Sequence, residues 1–442
     1  MDLLRALRLD QIPRPPVVAL CGSGGKTTAL FQLARGSLNI NRKRVIAAST
    51  THLGIWQVPL ADHHLTAKDT TGLLNFPPNG VILVTGEPDG DRIKPVNEAV
   101  LRALHERSAG ENIPFFIEAD GSRQRPLKAP AAHEPPIPDF AELVIYVVGM
   151  SGLGQPLDDE HVHRAEFFSQ LSGSQTGKPV TPDALLAYLT HPQGALKNIP
   201  REAKRIALLN QAETPELRSI GGGMSRALLK HFDSVLTGSL SQNNFHAAEP
   251  TAGIVLAAGM SSRFGQPKQL LDWNGKPFVR HVTETALRSA LKPVVVVTGF
   301  RHAEIESPLL DLPIGRIFNP DYAQGQATSI RAGLSALPRN IGAAVFLLAD
   351  QPQIPAEVIR ALTVSHAAEL QPILAPLVLG ERRANPVLFD RIAFPDLMQL
   401  QGDVGGRGIF DRYKVSYLPW HDDILLFDVD KPEDYERLLK LG

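Results

Sequence analysis

Residues 253–268 read Gly253-Ile254-Val255-Leu256-Ala257-Ala258-Gly259-Met260-Ser261-Ser262-Arg263-Phe264-Gly265-Gln266-Pro267-Lys268. The apolar run at the start predicts a strand. A strand that ends in small residues and opens into a glycine loop is the phosphate cradle of an open α/β sheet. Gly259 and Gly265 let backbone N–H groups turn toward an anion, while Arg263 and Lys268 place fixed positive charge at the ends of the loop. Leu270 and Leu271 then anchor the chain in a core. A glycine turn with two solvated cations is the plain alternative. The compact order of strand, small residues, arginine and lysine favours the cradle.

The pattern around this loop continues the α/β reading. Residues 277–287 predict a helix, and 293–298 a buried strand that stops at Gly299. Residues 316–318 predict a short strand, and 324–334 a loop and helix start with Thr328 or Ser329 as the cap. Residues 343–348 predict a strand that delivers Asp350 to its carboxyl end, where such sheets bind ligands.

This stretch resembles the L-A-A-G-x-S-x-R-x-G-x-x-K signature of the nucleotidyltransferases that complete molybdenum cofactors, most closely the cytidylyltransferases of the MobA-like group. The resemblance covers residues 251–442. It extends to residues 324–334, to Ala384-Asn385-Pro386-Val387-Leu388-Phe389 (the family has glycine first), to residues 401–407, and to Asp428-Val429-Asp430-Lys431-Pro432-Glu433-Asp434, where Lys431 replaces the usual threonine. The family implies a Rossmann-like nucleotidyltransferase domain that uses CTP, Mg²⁺ and molybdopterin. It implies Arg263, Lys268 and Asp350 as catalytic residues. It places the nucleotide on Leu256, Ala257, Ala258, Gly259, Gly265, Gly299 and Ser329, and the metal on Asp350 and Asp430. Cytidine over guanosine rests on Ala258, where the guanylyl branch tends to carry glycine. A sugar- or alcohol-phosphate nucleotidyltransferase and a cofactor-binding chaperone for a molybdenum hydroxylase stay open as alternatives.

A second glycine loop lies near the N-terminus. The apolar run 17–20 leads into Cys21-Gly22-Ser23-Gly24-Gly25-Lys26-Thr27-Thr28, followed by a helical pattern. This is a P-loop context. Leu20 stands where the standard spacing has glycine, so the loop is a short form like that of amide-forming ligases. Gly22, Gly24, Gly25 and Thr28 then line the phosphates, Lys26 reaches the β- and γ-phosphates, and Thr27 holds Mg²⁺. Residues 113–117 predict a strand ending in Glu118 and Asp120, two apart and on one face, as metal-holding acids. Arg123, Arg125, Lys128 and His133 follow, as a second anion site or as a solvated loop. His161 and His163 have metal-ligand spacing, but one His-x-His is weak evidence. Asn210-Gln211-Ala212-Glu213 resembles the base-reading loop of GTPases with two positions changed. Residues 16–245 resemble the YqeC-like family through Gly22–Thr28, Glu118–Arg123, Pro126–Lys128, His133–Pro135 and His163-Arg164. That family implies an accessory role toward a selenium cofactor or a molybdenum hydroxylase. Binding or hydrolysis of ATP or GTP is all it carries over, with an apo molybdenum hydroxylase as a partner.

Two open α/β domains are therefore expected, at 1–238 and 251–442. The polar stretch 239–250 is the expected linker, and Gly221-Gly222-Gly223 a flexible break before a helix. A length of 442 residues suits two cores. A net charge of −1 gives no whole-chain attraction to nucleic acid or an anionic membrane. One cysteine, no signal-peptide pattern and no long apolar run lead to the expectation of a cytoplasmic protein.

Overall fold

The computed structural model describes residues 1–40, 42–260, 264, 266–380 and 382–440. Its contacts divide the chain into two compact units, Met1–Ala248 and Glu249–Gly442. Both are open α/β folds.

The first unit is built on a nine-stranded sheet among the described residues. In chain order its strands are β1 (Val17–Gly22), β2 (Arg44–Ser49), β3 (His63–Thr66), β4 (Gly80–Thr85), β5 (Phe115–Glu118), β6 (Leu143–Gly149), β7 (Lys204–Asn210), β8 (Ser234–Ser239) and β9 (Asn244–Ala248). Their order across the sheet is β9-β8-β7-β6-β1-β5-β2-β4-β3, and only β9 runs antiparallel to its neighbour. Parallel strands covered on both faces read as unbroken apolar runs. β1 and β6 do so, with every residue buried. Alternate side chains feed two cores: Ala19, Val144 and Leu209 on one face, Ile46, Ile82 and Ile117 on the other. Helix α1 (Lys26–Asn39) leaves β1 through the glycine loop and buries Leu30, Leu33 and Ala34.

Two expectations are corrected here. The segment expected as a linker contains β9, in which Phe245 and Ala247 are buried between exposed Asn244 and His246. That two-residue alternation is the mark of a half-buried strand, and five residues are too few to stand out from a polar stretch. Nor do Gly221–Gly223 break the chain, because helix α2 runs through them from Pro215 to Leu228. Thr214 caps it, and a Cβ on Gly221 would sit 2.5 Å from Thr237 Cγ2. The glycine lets the helix lie close on β8.

The second unit has strands β10 (Thr251–Ala257), β11 (Val294–Thr298), β12 (Gly315–Phe318), β13 (Ala343–Leu348), β14 (Ile373–Val378), β15 (Arg382–Arg383), β16 (Val387–Asp390) and β17 (Val415–Trp420). The sheet order is β12-β11-β10-β13-β16-β14-β15, with β17 alongside β14. β12 through β13 are parallel, and β16 enters antiparallel to β13. Helices α3 (Phe278–Arg288) and α4 (Ala356–Glu369) pack on one face through Val282 and Ile359. Helix α5 (Gln326–Ser335) packs on the other through Ile330. β10 is central, with β11 on one side and β13 on the other, so the strand order reverses between the parallel strands β10 and β13. Such a switch point opens a crevice.

Candidate functional site

In the second unit the crevice is a cleft of about 590 Å³, lined by Leu256 at the end of β10, by Ala258 and Gly259 from the loop after it, and by Asp350 after β13. Leu256 pairs with Leu348 across the two strands, which brings both strand ends to one edge. Lys268 reaches over this edge. Its Nζ lies 3.1 Å from Asp350 Oδ2 and 3.1 Å from Asp430 Oδ1, and donates to the Val429 carbonyl at 2.9 Å. The loop at 256–268 and two acids 80 residues apart in sequence thus meet at one ammonium. Burial works against the Lys268 charge, but Asp350 and Asp430 override it and hold the pKa above the ordinary lysine value.

Ser329 lines the cleft from α5, and the Asn319 amide donates to its hydroxyl at 3.0 Å. Neither Ser329 nor Thr328 caps α5. Thr328 lies inside the helix, its hydroxyl turned back to the Gly325 carbonyl, and Gly325 holds the cap position at φ 111°. A Cβ on Gly325 would strike the Gly402 backbone. That close approach brings Asp403 to the helix start, where its Oδ1 accepts the Gln326 N–H at 3.3 Å. The cap comes from 77 residues away. Ala257 turns into the core and does not line the cleft. Gly299 packs beneath it, where a Cβ would come within 2.9 Å of Ala258 Cβ. Arg263 and Gly265 lie outside the described residues.

Gln269 and Asp403 went unassigned in the sequence. Gln269 is buried and donates to the carbonyls of Ala257 and Gly259, at 3.3 and 3.0 Å, which fixes the loop over the cleft. Asp403 sits in a segment that resembles the family, and that was the available signal.

The glycine loop of the first unit is built just as tightly. Gly22, Gly24 and Gly25 have φ of 97°, 74° and 129°. A Cβ on Gly22 would collide with the Val147 carbonyl, and one on Gly25 would lie 2.6 Å from Asn210 Nδ2. Gly22→Ala should therefore lower stability by at least about 2 kcal/mol, from strain and overpacking together. Chemical denaturation measures it, and an unchanged midpoint would contradict the close packing.

Lys26 is buried. It donates to the Gly22 carbonyl at 2.9 Å and stands 3.5 Å from Asp120 and 4.0 Å from Glu118. The Thr27 hydroxyl donates to Glu118 at 2.7 Å and accepts from Gln57 at 3.0 Å. Burial raises the Glu118 pKa, and Lys26 opposes the rise. The five expected residues Gly22, Lys26, Thr27, Glu118 and Asp120 do come together. Thr28 instead lines a separate groove along α1 with Phe31 and Gln32.

Lys128 was half of an open choice between anion site and solvated loop. It is neither, being 1% exposed and clamped between Asp120 at 2.8 Å and Glu134 at 3.0 Å. Arg164 grips Glu134 with two bonds, at 2.7 and 2.9 Å. Burial pushes the Glu134 pKa up, but Arg164 and Lys128 override it and hold it at about 2. The His161 ring bonds Asp158 at 2.8 Å. Burial lowers the His163 pKa to about 4, with the charges of Arg164, Lys128 and Arg123 adding to it. A ring among cations repels a metal. Among the described residues, no group of three or more His, Cys, Asp or Glu is arranged to hold one. Asn210 does not point outward as a base reader. Its amide donates to the Gly24 carbonyl at 2.6 Å and its oxygen accepts from Leu240 N at 2.8 Å, which braces the loop.

A sheet with parallel strands around a switch-point cleft, a small-residue loop and a lysine between two acids defines the second unit as nucleotidyltransferase-like. Residues 18–166 match the family described as YqeC protein, and residues 253–417 the MobA-like NTP transferase domain. The chain is 34% identical over 210 residues to the uncharacterized protein YqeC of Escherichia coli (strain K12), covering 45% of this chain and 77% of that one. It is 31% identical over 197 residues to the purine catabolism protein PucB of Bacillus subtilis (strain 168), covering 42% and 94%. It is 31% identical over 140 residues to a probable molybdenum cofactor guanylyltransferase of Bacillus cereus (strain ZK / E33L), covering 31% and 66%. The chain belongs to the YqeC family through its first unit and to the MobA-like NTP transferases through its second. No helix among the described residues is long and apolar enough to cross a membrane.

Proposed function

We propose that the second unit transfers CMP from CTP to the terminal phosphate of molybdopterin, with release of pyrophosphate. The observation that carries this reading is the convergence of Lys268, Asp350 and Asp430 at the mouth of the cleft. Arg263, Lys268 and the amides around Gly259 and Gly265 would hold the triphosphate. Asp350 and Asp430 would hold Mg²⁺, an ion that is commonly bound by one or two carboxylates with phosphate oxygens and water. Two carboxylates sharing one ammonium fit that donor set, since the lysine can turn from the acids to the phosphates. When bound, the ion neutralises charge that gathers on the phosphates. An acceptor phosphate oxygen bonds to the α-phosphorus as the bond to the bridging oxygen breaks, and pyrophosphate carries off the electron pair. Lys268 steadies that departing charge, and no side-chain nucleophile is needed.

The choice of CTP rests on Ala258, whose methyl lines the cleft and packs toward Gly299. The relative named a guanylyltransferase favours the other base. Incubation with each nucleoside triphosphate and molybdopterin, followed by mass analysis, decides between them. With the wild type the cytosine dinucleotide should form. Ala258→Gly should raise the ratio of kcat/KM for GTP over CTP by at least about tenfold, the effect of one methyl group in a pocket. A wild type that prefers GTP would overturn the assignment.

The first unit is proposed to bind ATP or GTP with Mg²⁺ at Gly22–Thr27, with Thr27, Glu118 and Asp120 as the metal-side groups. The Thr27–Glu118 hydrogen bond supports this reading. Joined in one chain as Met1–Ala248 and Glu249–Gly442, the two activities would serve maturation of a molybdenum hydroxylase. Retained nucleotide in equilibrium dialysis, lost in Lys26→Ala, tests the binding.

A further inference from the structure

Loop 121–126 lies directly after the acids of β5, and it is pinned to the glycine loop. Ser23 Oγ and the Gly149 N–H both donate to the Pro126 carbonyl, at 2.8 and 2.9 Å, and Arg125 N–H closes a turn on Ser122 O at 3.1 Å. Two successive non-glycine residues, Arg123 and Gln124, hold left-handed backbone at φ 50° and 62°. Side chains with a Cβ rarely adopt this conformation unaided, so the loop is held in this shape by its surroundings.

The charges here do not cancel. Lys26, Lys128 and Arg164 are matched by Glu118, Asp120 and Glu134. The guanidinium groups of Arg123 and Arg125 have no acidic or hydrogen-bond partner among the described residues, and Arg125 Nε is buried without one. A buried guanidinium N–H without an acceptor is costly, and that cost disappears when an anion supplies the acceptor. The half-buried His163 ring lies in the field of Arg123 and makes no hydrogen bond among the described residues.

We propose that Arg123, Arg125 and His163 form an anion site beside the glycine loop, and that its ligand is a small molecule bearing a phosphate monoester. Two guanidiniums suit a dianion, which they contact in the two-point manner that arginine makes with phosphate. The neutral imidazole adds one hydrogen bond. The site lies next to the loop assigned above to a nucleoside triphosphate, so its ligand is the second substrate of that unit. This role rests on the nucleotide reading, whereas the binding itself does not.

The test is a titration of the full chain with inorganic phosphate at constant ionic strength, followed through the His163 ring proton signals, which are assigned by their loss in His163→Gln. A saturable shift is expected. It should persist in Lys268→Ala, which alters the other unit's cleft, and should need at least tenfold more phosphate in Arg123→Ala and in Arg125→Ala. Acetate at the same ionic strength should bind more weakly. Arg123 is exposed, so its alanine variant tests the site without threatening the fold. No saturable shift in the wild type, or an unchanged midpoint in Arg123→Ala, overturns the proposal. Acetate binding as tightly as phosphate overturns the phosphate assignment. Loss of nucleotide retention in Lys26→Ala, with the phosphate shift intact, separates this site from the loop.

Discussion

Asp350→Asn should lower the rate of pyrophosphate release by about 10³-fold, roughly 4 kcal/mol of transition-state stabilisation. The side chain stands at the carboxyl end of β13, where it shares Lys268 with Asp430. An amide keeps the shape but gives up the charge that would attract a divalent ion. It also weakens the field that holds Lys268 protonated and aimed at the cleft. Stability should hardly change, because the Asp350 side chain is 34% exposed and Lys268 keeps Asp430 and the Val429 carbonyl. The measurement is steady-state kinetics over a range of Mg²⁺ concentrations, with thermal melting as the control for folding. Activity within a few-fold of the wild type, at an unchanged melting point, would remove Asp350 from the metal-holding role.

Lys128→Ala should have the largest effect on stability in the first unit, about 3–5 kcal/mol, the usual result of removing one partner from a buried charge cluster. Lys128 is almost wholly enclosed, and its loss leaves Asp120 and Glu134 without the ammonium between them. Arg164 still serves Glu134, whereas among the described residues Asp120 keeps only the Gly22 amide and the more distant Lys26. The effect has a defined pH dependence. The folded Glu134 pKa, about 2, lies below its ordinary value, so its contribution is complete above the ordinary carboxylate range and is lost as pH falls toward 2. The gap between variant and wild type should therefore be widest near neutrality and should narrow on acidification, as protonation removes the charge left unpaired. Hydrogen exchange read peptide by peptide localises the loss to residues 1–248. A gap that is constant with pH would show that lost packing, not charge, is responsible.

The two glycine loops could be recognised before any coordinates because their chemistry is local. A strand end, a few small residues and a lysine are consecutive, and the apolar runs of β1, β6, β10, β11 and β13 are unbroken because parallel strands are buried on both faces. The end of β13 likewise announced Asp350. What escaped was short or distant. β9 is five residues long, and its alternation was hidden in a polar stretch. The helix through Gly221–Gly223 exists because Thr237 lies against it, against the intrinsic preference of glycine. The basic run 123–133 is uniform in sequence, yet it separates into a buried lysine and arginines whose guanidiniums have no partner among the described residues.

Composition and local pattern therefore determined the class of fold, the two loops and the kinds of group at the strand ends, because strand burial and backbone turning are decided over a few neighbouring residues. Tertiary structure alone decided which charges meet. Lys268 is joined to Asp430 across 162 positions, Lys26 to Glu118 and Asp120 from another strand, and Asp403 to a helix start 77 residues away. Electrostatic attraction acts over a few ångströms of space, and only the crossing of strands in a sheet turns distance along the chain into that proximity.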